Sequence, residues 1–161
     1  MLSSVTILAV GKLKESYLRE ACAEYSKRLQ GFCRFSIEEV AEYRLPDNPS
    51  PAQIAAGLER EGREMLSRIP AGAYVVAMCI EGKMLDSVEL SRKLSQIAVQ
   101  GRSSVVFIIG GSFGIWEQVK QRADLRLSMS PMTFPHQLAR VMLCEQVYRA
   151  FSIEANTKYH K

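Results

Sequence analysis

The sequence predicts an α/β fold: a mostly parallel β-sheet with helices on both faces. Short β-branched apolar runs alternate with amphipathic helical patterns along the chain, as they do in proteins with parallel sheets. Two of these runs, residues 73–80 (AYVVAMCI) and 105–109 (VVFII), are apolar throughout, which is typical of strands covered on both faces. No repeat, low-complexity tract or linker interrupts the chain, so we expect residues 1–161 to form a single domain.

The first elements are a strand, a helix and a second strand. Residues 5–10 (VTILAV) form a β-rich run that ends at Gly11. After Ser16, apolar residues recur at three- and four-residue steps, which indicates an amphipathic helix. Residues 32–40 alternate less regularly and predict a half-exposed strand.

The next elements follow a loop rich in proline and polar residues. Ser50 and Pro51 provide an N-cap and a proline in the first helical turn, which predicts a long polar helix to about Arg68. The apolar strand 73–80 comes next, and we expect it to end at Gly82.

The last third of the chain continues the alternation. Asp86 or Ser87 caps a helix that precedes the second apolar strand. That strand is followed by a short helix over 115–122, a weak strand over 125–130 and a long helix over 135–153.

Composition excludes several classes of protein. The 21 basic and 17 acidic residues give a net charge of +4, which is compatible with a nucleic-acid partner without requiring one. The four cysteines are scattered and only two histidines occur, so we expect no metal site and a reducing, cytoplasmic environment. The first apolar run is short and lacks a basic leader, and no run approaches a membrane span; we therefore expect neither a signal peptide nor a membrane anchor.

A glycine-rich turn follows the second apolar strand, in the segment IIGGSFG. Its glycines are Gly110, Gly111 and Gly114. The spacing fits neither the G-x-G-x-x-G fingerprint of dinucleotide sites nor a phosphate-binding loop with Gly-Lys-Ser/Thr. A tight turn and a loop that lets a ligand approach the main chain both remain open.

The loop over 129–136 (MSPMTFPH) is the second candidate. Pro131 and Pro135 stiffen it, and Thr133 is a candidate cap for the following helix. A stiff loop with exposed main-chain groups suits recognition of a heterocycle edge such as that of adenine. The alternative is an ordinary cap and turn.

The final helix carries polar residues on an otherwise apolar surface. His136 and Arg140 lie four residues apart on one face, and Glu145 and Arg149 have the spacing of an ion pair. Apolar residues on most sides predict a helix that is central to the core or sandwiched in a homodimer. By pattern alone, residues 156–161 (NTKYHK) predict a frayed terminus.

Several segments together resemble one family. They are VTILAVGKLKE, IEGK, IIGGSFG, SPMTFPHQLARVMLCEQVYRAF and YHK, in this order along the whole chain. They resemble the SPOUT-class methyltransferases that methylate N3 of a pseudouridine in 23S ribosomal RNA of the large subunit. The resemblance implies a C-terminal trefoil knot, a homodimer and S-adenosylmethionine as the cofactor.

The resemblance also assigns cofactor contacts. They are Met78, Gly110, Met129, Ser130, Pro131, Met132, Thr133 and Phe134. The family commonly has leucine at the position of Met78, a residue of similar volume and polarity, so we expect the pocket wall to be kept. S-adenosylmethionine carries a sulfonium cation and no phosphate, which agrees with the missing phosphate-binding loop.

The reaction implied by the resemblance needs a base, because N3 of pseudouridine must lose its proton before it attacks the methyl group. His136 and His160 are both candidates, and the sequence does not choose between them. Tyr159 is a candidate for stacking on the base or donating a hydrogen bond. Candidate stabilisers of the imide anion are Arg140, Arg149 and Lys161.

The modest charge favours a protein that docks on a folded ribosomal particle. We expect a dimer to combine basic residues of both subunits in one surface, with these candidates: Lys12, Lys14, Arg126 and Lys158. The rival functions are a non-catalytic ribosome- or RNA-binding module, a SPOUT methyltransferase acting on tRNA, and a nicotinamide-dependent oxidoreductase.

Overall fold

The computed structural model describes residues 1–161 and contains one five-stranded sheet. Its strands are β1 (Ser4–Val10), β2 (Arg34–Val40), β3 (Tyr74–Met84), β4 (Ser104–Ile109) and β5 (Leu125–Ser128). Its helices are α1 (Ser16–Leu29), α2 (Pro51–Arg68), α3 (Ser87–Val99), α4 (Glu117–Arg122) and α5 (His136–Glu154). The strand order is β2-β1-β4-β3-β5 and every pairing of these strands is parallel, so the predicted fold class is confirmed.

Helices cover both faces of the sheet, as predicted. Helices α1, α3 and α5 pack on one face and form the larger core, whereas α2 and α4 pack on the other. Strand β4 shows why its sequence is apolar throughout: Phe107 faces the larger core and Ile108 the smaller one, and both are fully buried. Alternate side chains of a strand point to opposite faces, so a strand with two covered faces needs apolar residues at every position.

Two helix N-termini have the caps that the sequence predicts. Ser50 Oγ accepts from the Gln53 amide at 3.2 Å, and Gln53 Oε1 accepts from the Ser50 amide at 2.8 Å. Asp86, rather than Ser87, caps α3 through the same reciprocal arrangement with Glu89. These caps are local, which makes them readable from sequence.

The predicted cap of α5 is wrong. Pro135 occupies the N-cap position, and no side chain caps the helix. Thr133 lies two residues upstream of that position, outside the place from which a side chain reaches the first free amides of a helix.

Strand β3 does not end at Gly82 as predicted. It pairs with β5 through Met78 and again through Lys83, and both residues lie opposite Leu127. A Cβ atom at Gly82 would stand 2.7 Å from the β5 backbone, so glycine permits a close approach of the two strands rather than ending one of them.

Helix α5 is central to the larger core, one of the two predicted alternatives, and packs against α1 and α3. The prediction of a frayed terminus is wrong, because the Tyr159 ring lies 4.7 Å from that of Tyr148 on α5. None of the five helices combines the length and apolar character that a membrane span requires.

Candidate active site

A cavity of about 140 Å³ lies beside the middle of β3 and the carboxyl ends of β4 and β5, and we call it the strand-end cavity. The loop over 129–134 and the first turn of α5 close its other side. It brings together seven of the eight predicted cofactor residues: Met78, Gly110, Met129, Ser130, Met132, Thr133 and Phe134. Pro131 does not line it, whereas His136 does.

The lining of the strand-end cavity is mostly apolar and contains no lysine, arginine, aspartate or glutamate. Its titratable side chains are Cys79 and His136. Burial is the main reason that the pKa of the Cys79 thiol is raised above its usual value. The site therefore offers no lysine or arginine to a phosphate and suits a ligand without one.

The main chain of the loop over 129–134 is open for recognition. None of its amide or carbonyl groups pairs with another backbone group. Two are held by side chains: the Met132 amide donates to Ser130 Oγ at 3.0 Å, and the Ser130 carbonyl accepts from Ser128 Oγ at 3.1 Å. The loop residues other than Pro131 line the cavity, and their free main-chain groups can serve a heterocycle that presents both donors and acceptors.

The glycine turn after β4 is required by its own packing. A Cβ atom at Gly110 would overlap the Gly114 backbone and lie 2.8 Å from Ile115 Cγ1. Gly114 itself has φ +90°, a left-handed conformation that favours glycine. Gly110 borders the strand-end cavity, but the fold explains its missing side chain without a ligand.

A second cavity of about 570 Å³, the helix cavity, adjoins the first. The two share a wall of four residues: Met78, Leu127, Ser128 and Met129. Its other side is formed by α5 and the start of α3, together with Tyr25 of α1. Sites for small ligands usually measure about 300–1,000 Å³, so the strand-end cavity is small alone and ample with its neighbour.

A polar cluster on α5 borders the helix cavity. Glu145 accepts from Arg149 Nε at 2.8 Å and from the Tyr159 hydroxyl at 3.1 Å, which confirms the predicted Glu145–Arg149 pair. Arg149 Nη1 lies 3.2 Å from His160 Nδ1. A guanidinium group only donates hydrogen bonds, so Nδ1 is the acceptor in this contact.

Tyr159 is held in its protonated form at neutral pH. Burial first, and then hydrogen bonds with Tyr25 and Glu145, raise the pKa of its hydroxyl to about 12. It is therefore a donor and a stacking surface. The Arg149 guanidinium lies 4.8 Å from the centre of its ring, which fixes the tail against α5.

Arg140 lies outside both cavities although it shares a helix face with His136. Its side chain is 2% exposed and donates to Glu39 Oε2 at 2.7 Å and to the Gly11 carbonyl at 3.0 Å. These partners tie α5 to the carboxyl ends of β1 and β2. The geometry gives Arg140 a structural task.

Comparisons with known proteins agree with this geometry. The family model described as "Predicted SPOUT methyltransferase" matches residues 3–160. The chain belongs to the SPOUT methyltransferase family. It is therefore an enzyme that transfers methyl groups.

Relatives of this SPOUT methyltransferase match it along nearly its whole length. Proteins named "Ribosomal RNA large subunit methyltransferase H" are 48% identical in Clostridium kluyveri, 47% in Bacillus pumilus and 46% in Leuconostoc mesenteroides. Each alignment covers 98% of this chain and 99% of the relative.

A solved structure, that of a probable methylase family protein from Haemophilus influenzae Rd KW20, shares the fold. It is similar with a TM-score of 0.55 at 15% identity, over 100% of this chain and 72% of the other.

The SPOUT methyltransferase also has cavity residues that sequence reasoning missed. They are Cys79, Ile80, Ile109, Leu127, Ser128 and Ala139. Three of these, Ile109, Leu127 and Ser128, stand at the carboxyl ends of β4 and β5, where ligands of parallel sheets bind. That rule points to the right edge of the sheet, but it does not say which strand-end side chains face the ligand.

Proposed function

We propose that this SPOUT methyltransferase transfers a methyl group from S-adenosylmethionine to N3 of a pseudouridine in 23S rRNA of the large ribosomal subunit. The strand-end cavity carries the proposal, since it joins an apolar wall, an open main-chain edge and His136 in one place. The name shared by the relatives supports the ribosomal substrate. The resemblance supports the pseudouridine and its N3 atom.

The residues present fit the proposed cofactor. The open amides and carbonyls of 129–134 would read the adenine edge, and Met78 and Leu127 would pack against its apolar parts. The ligand would extend past the shared wall into the helix cavity, which supplies the volume that the strand-end cavity lacks. When bound, S-adenosylmethionine supplies an electrophilic methyl group on a sulfonium cation.

The two histidines have different surroundings, which separates their proposed roles. His136 borders the strand-end cavity, so it would orient the cofactor or take the N3 proton. His160 contacts Arg149 through Nδ1, so its ring lies at the polar cluster, and there it would be the alternative base. Arg149 and Lys161 remain the proposed stabilisers of the imide anion, whereas the contacts of Arg140 support a structural role instead.

Tyr159 has a proposed role as a stacking and hydrogen-bonding partner of the target base. Its hydroxyl stays protonated well into the alkaline range because its pKa is raised to about 12, and its ring already packs against Tyr148. A flipped-out base can stack on such an aromatic surface and be recognised through its polar edge.

A homodimer in the cytoplasm completes the proposal. Exposed apolar side chains lie at or near the strand-end cavity, where a second copy would cover them: Ile80, Met84, Met132 and Leu138. A dimer would also combine the proposed basic surface of two subunits: Lys12, Lys14, Arg126 and Lys158. The trefoil knot and the single domain over 1–161 stay predictions of the sequence.

The decisive experiment offers methyl-labelled S-adenosylmethionine with free 23S rRNA, separate large subunits, whole ribosomes and tRNA. We expect label only with the large-subunit substrates, at one pseudouridine identified by nucleotide mapping. Label on tRNA would replace the rRNA assignment. Tight binding to ribosomes without label on any substrate would favour a non-catalytic module.

A further inference from the structure

A third cavity, of about 510 Å³, lies away from the strand-end and helix cavities and shares no lining residue with either. It is bounded by the loop after β1, one face of α1, the exposed side of β2 and the first turns of α5. Three of its lining side chains are cationic: Lys12, Arg19 and Arg140. We call it the basic cavity.

The positive charge of the basic cavity is not balanced by the protein. Glu39 is its single acidic lining residue, and Glu39 already accepts from Arg140 at 2.7 Å. Lys12 and Arg19 form no ion pair. Two cations therefore face a cavity whose one carboxylate is already paired with Arg140, which favours an anionic ligand.

Arg19 is held in place while part of its guanidinium group stays free. Its Nη1 donates to the carbonyls of Leu13 at 2.9 Å and Lys14 at 2.7 Å. Nε and Nη2 have no acceptor in the protein. A guanidinium group fixed at one nitrogen presents its other donors in a defined direction, the geometry in which arginine binds oxyanions.

Arg140 provides a second, independent observation at the floor of the cavity. Its side chain is 2% exposed, and its buried Nε atom has no hydrogen-bond partner. Buried polar atoms of proteins almost always have partners, and a missing one calls for an explanation such as a bound ion. The buried guanidinium adds a fixed positive charge beneath the two cations of the rim.

We propose that the basic cavity binds a phosphate group of the RNA backbone. The inference rests on the proposed function for the identity of the RNA. Phosphate contacts position a nucleic acid without reading its sequence. A phosphate held here would fix the rRNA at a point separate from the base that enters the strand-end cavity.

The first test uses inorganic phosphate as the probe. Thermal unfolding is followed with increasing sodium phosphate, and chloride keeps the ionic strength constant. We expect phosphate to stabilise the wild type, and Lys12→Gln to weaken its apparent affinity by roughly threefold or more. Glu39→Gln keeps an acceptor for Arg140 but removes the negative charge, so it should bind phosphate more tightly than the wild type.

Lys27→Gln is the matched control. Lys27 has the same charge and is exposed on α1, one element of the cavity wall, but it does not line the cavity. Equal phosphate affinities in Lys12→Gln, Lys27→Gln and the wild type would overturn the proposed site. So would phosphate affinity that is unchanged or weakened in Glu39→Gln.

The second test distinguishes RNA phosphate from a free anion. Binding to purified large subunits is measured at increasing salt concentration, where log K falls as log salt rises. Lys12→Gln should make this dependence shallower by about one unit of slope. Phosphate binding with an unchanged slope would identify a free-anion site and overturn the RNA assignment. Failure of the wild type to bind any ribosomal particle would defeat the proposed function, while the phosphate titration would still decide the cavity.

Discussion

Replacing Arg140 by methionine separates a structural from a catalytic role for this residue. Methionine has a comparable apolar stem, but it cannot donate to Glu39, Gly11 or Val10 as Arg140 does. We expect Arg140→Met to lower the stability of the fold while the folded fraction keeps its affinity for S-adenosylmethionine, because Arg140 lines neither cavity of the proposed active site.

The magnitude follows from the contacts. The bonds to Glu39 and to the Gly11 carbonyl are the shortest, and a hydrogen bond to a charged group contributes about 1.5–3 kcal/mol. Glu39 is 39% exposed, so water can hydrate its carboxylate in the variant and the loss of this ion pair costs less than a buried one would. Removing Nε, which has no partner, returns about 1–3 kcal/mol. The net loss is about 1–3 kcal/mol, or roughly 2–12 °C in melting temperature.

Urea unfolding and single-turnover methyl transfer, both measured below the variant's melting transition, provide the assay. Arg92→Met is the control, since Arg92 is an exposed arginine of α3, and it should change stability by less than about 0.5 kcal/mol. The structural reasoning is refuted if Arg140→Met changes stability by less than about 1 kcal/mol while methyl transfer falls more than about a hundredfold.

Three further changes test other parts of the structure. Gly82→Ala should lower the free energy of unfolding in urea by about 1–3 kcal/mol and weaken cofactor binding, because its Cβ atom would press on β5. Wild-type values of both quantities would contradict the close approach of the two strands. The raised pKa of Tyr159 stabilises the fold below pH 10, and this contribution is lost as pH rises toward 12. The free energy of unfolding of Tyr159→Phe, measured from pH 9 to 12, should therefore fall less steeply than that of the wild type. Parallel curves for the two proteins would exclude the raised pKa. His160→Ala should slow methyl transfer by about a hundredfold or more with little change in cofactor affinity. His136→Asn should instead weaken cofactor binding, as measured by isothermal titration. Wild-type activity in His160→Ala would exclude a catalytic role for His160.

The fold was predictable because its determinants are local. Strand β4 needs apolar residues at all buried positions, and this requirement is visible in the segment VVFII. The caps at Ser50 and Asp86 involve residues three positions apart, so their pattern also appears in the sequence. The alternation of strands and helices then selects a parallel sheet with two covered faces.

The errors concern contacts between residues that are distant in sequence. His136 and Arg140 do share a helix face. The ion-pair partner of Arg140, however, is Glu39, which lies 101 residues away in sequence, and this contact directs the Arg140 side chain away from the candidate site. Residues 156–161 have the composition of a frayed terminus. Contacts of Tyr159 with Tyr148 and Glu145 on α5 hold them instead. Neither partner can be identified from spacing alone.

The irregular segment of β3 explains why sequence reasoning missed part of the candidate active site. Successive side chains of a regular strand point to opposite faces, so Met78 and Cys79 should not meet in one cavity. Yet Met78, Cys79 and Ile80 all line the strand-end cavity, and the pairing with β5 shifts between Met78 and Lys83. The departure from a regular ladder therefore gives three consecutive residues to the site, and Gly82 lets β5 stay close enough to close it. Gly82, which the sequence predicts to end β3, is therefore the residue that allows β3 and β5 to enclose the strand-end cavity.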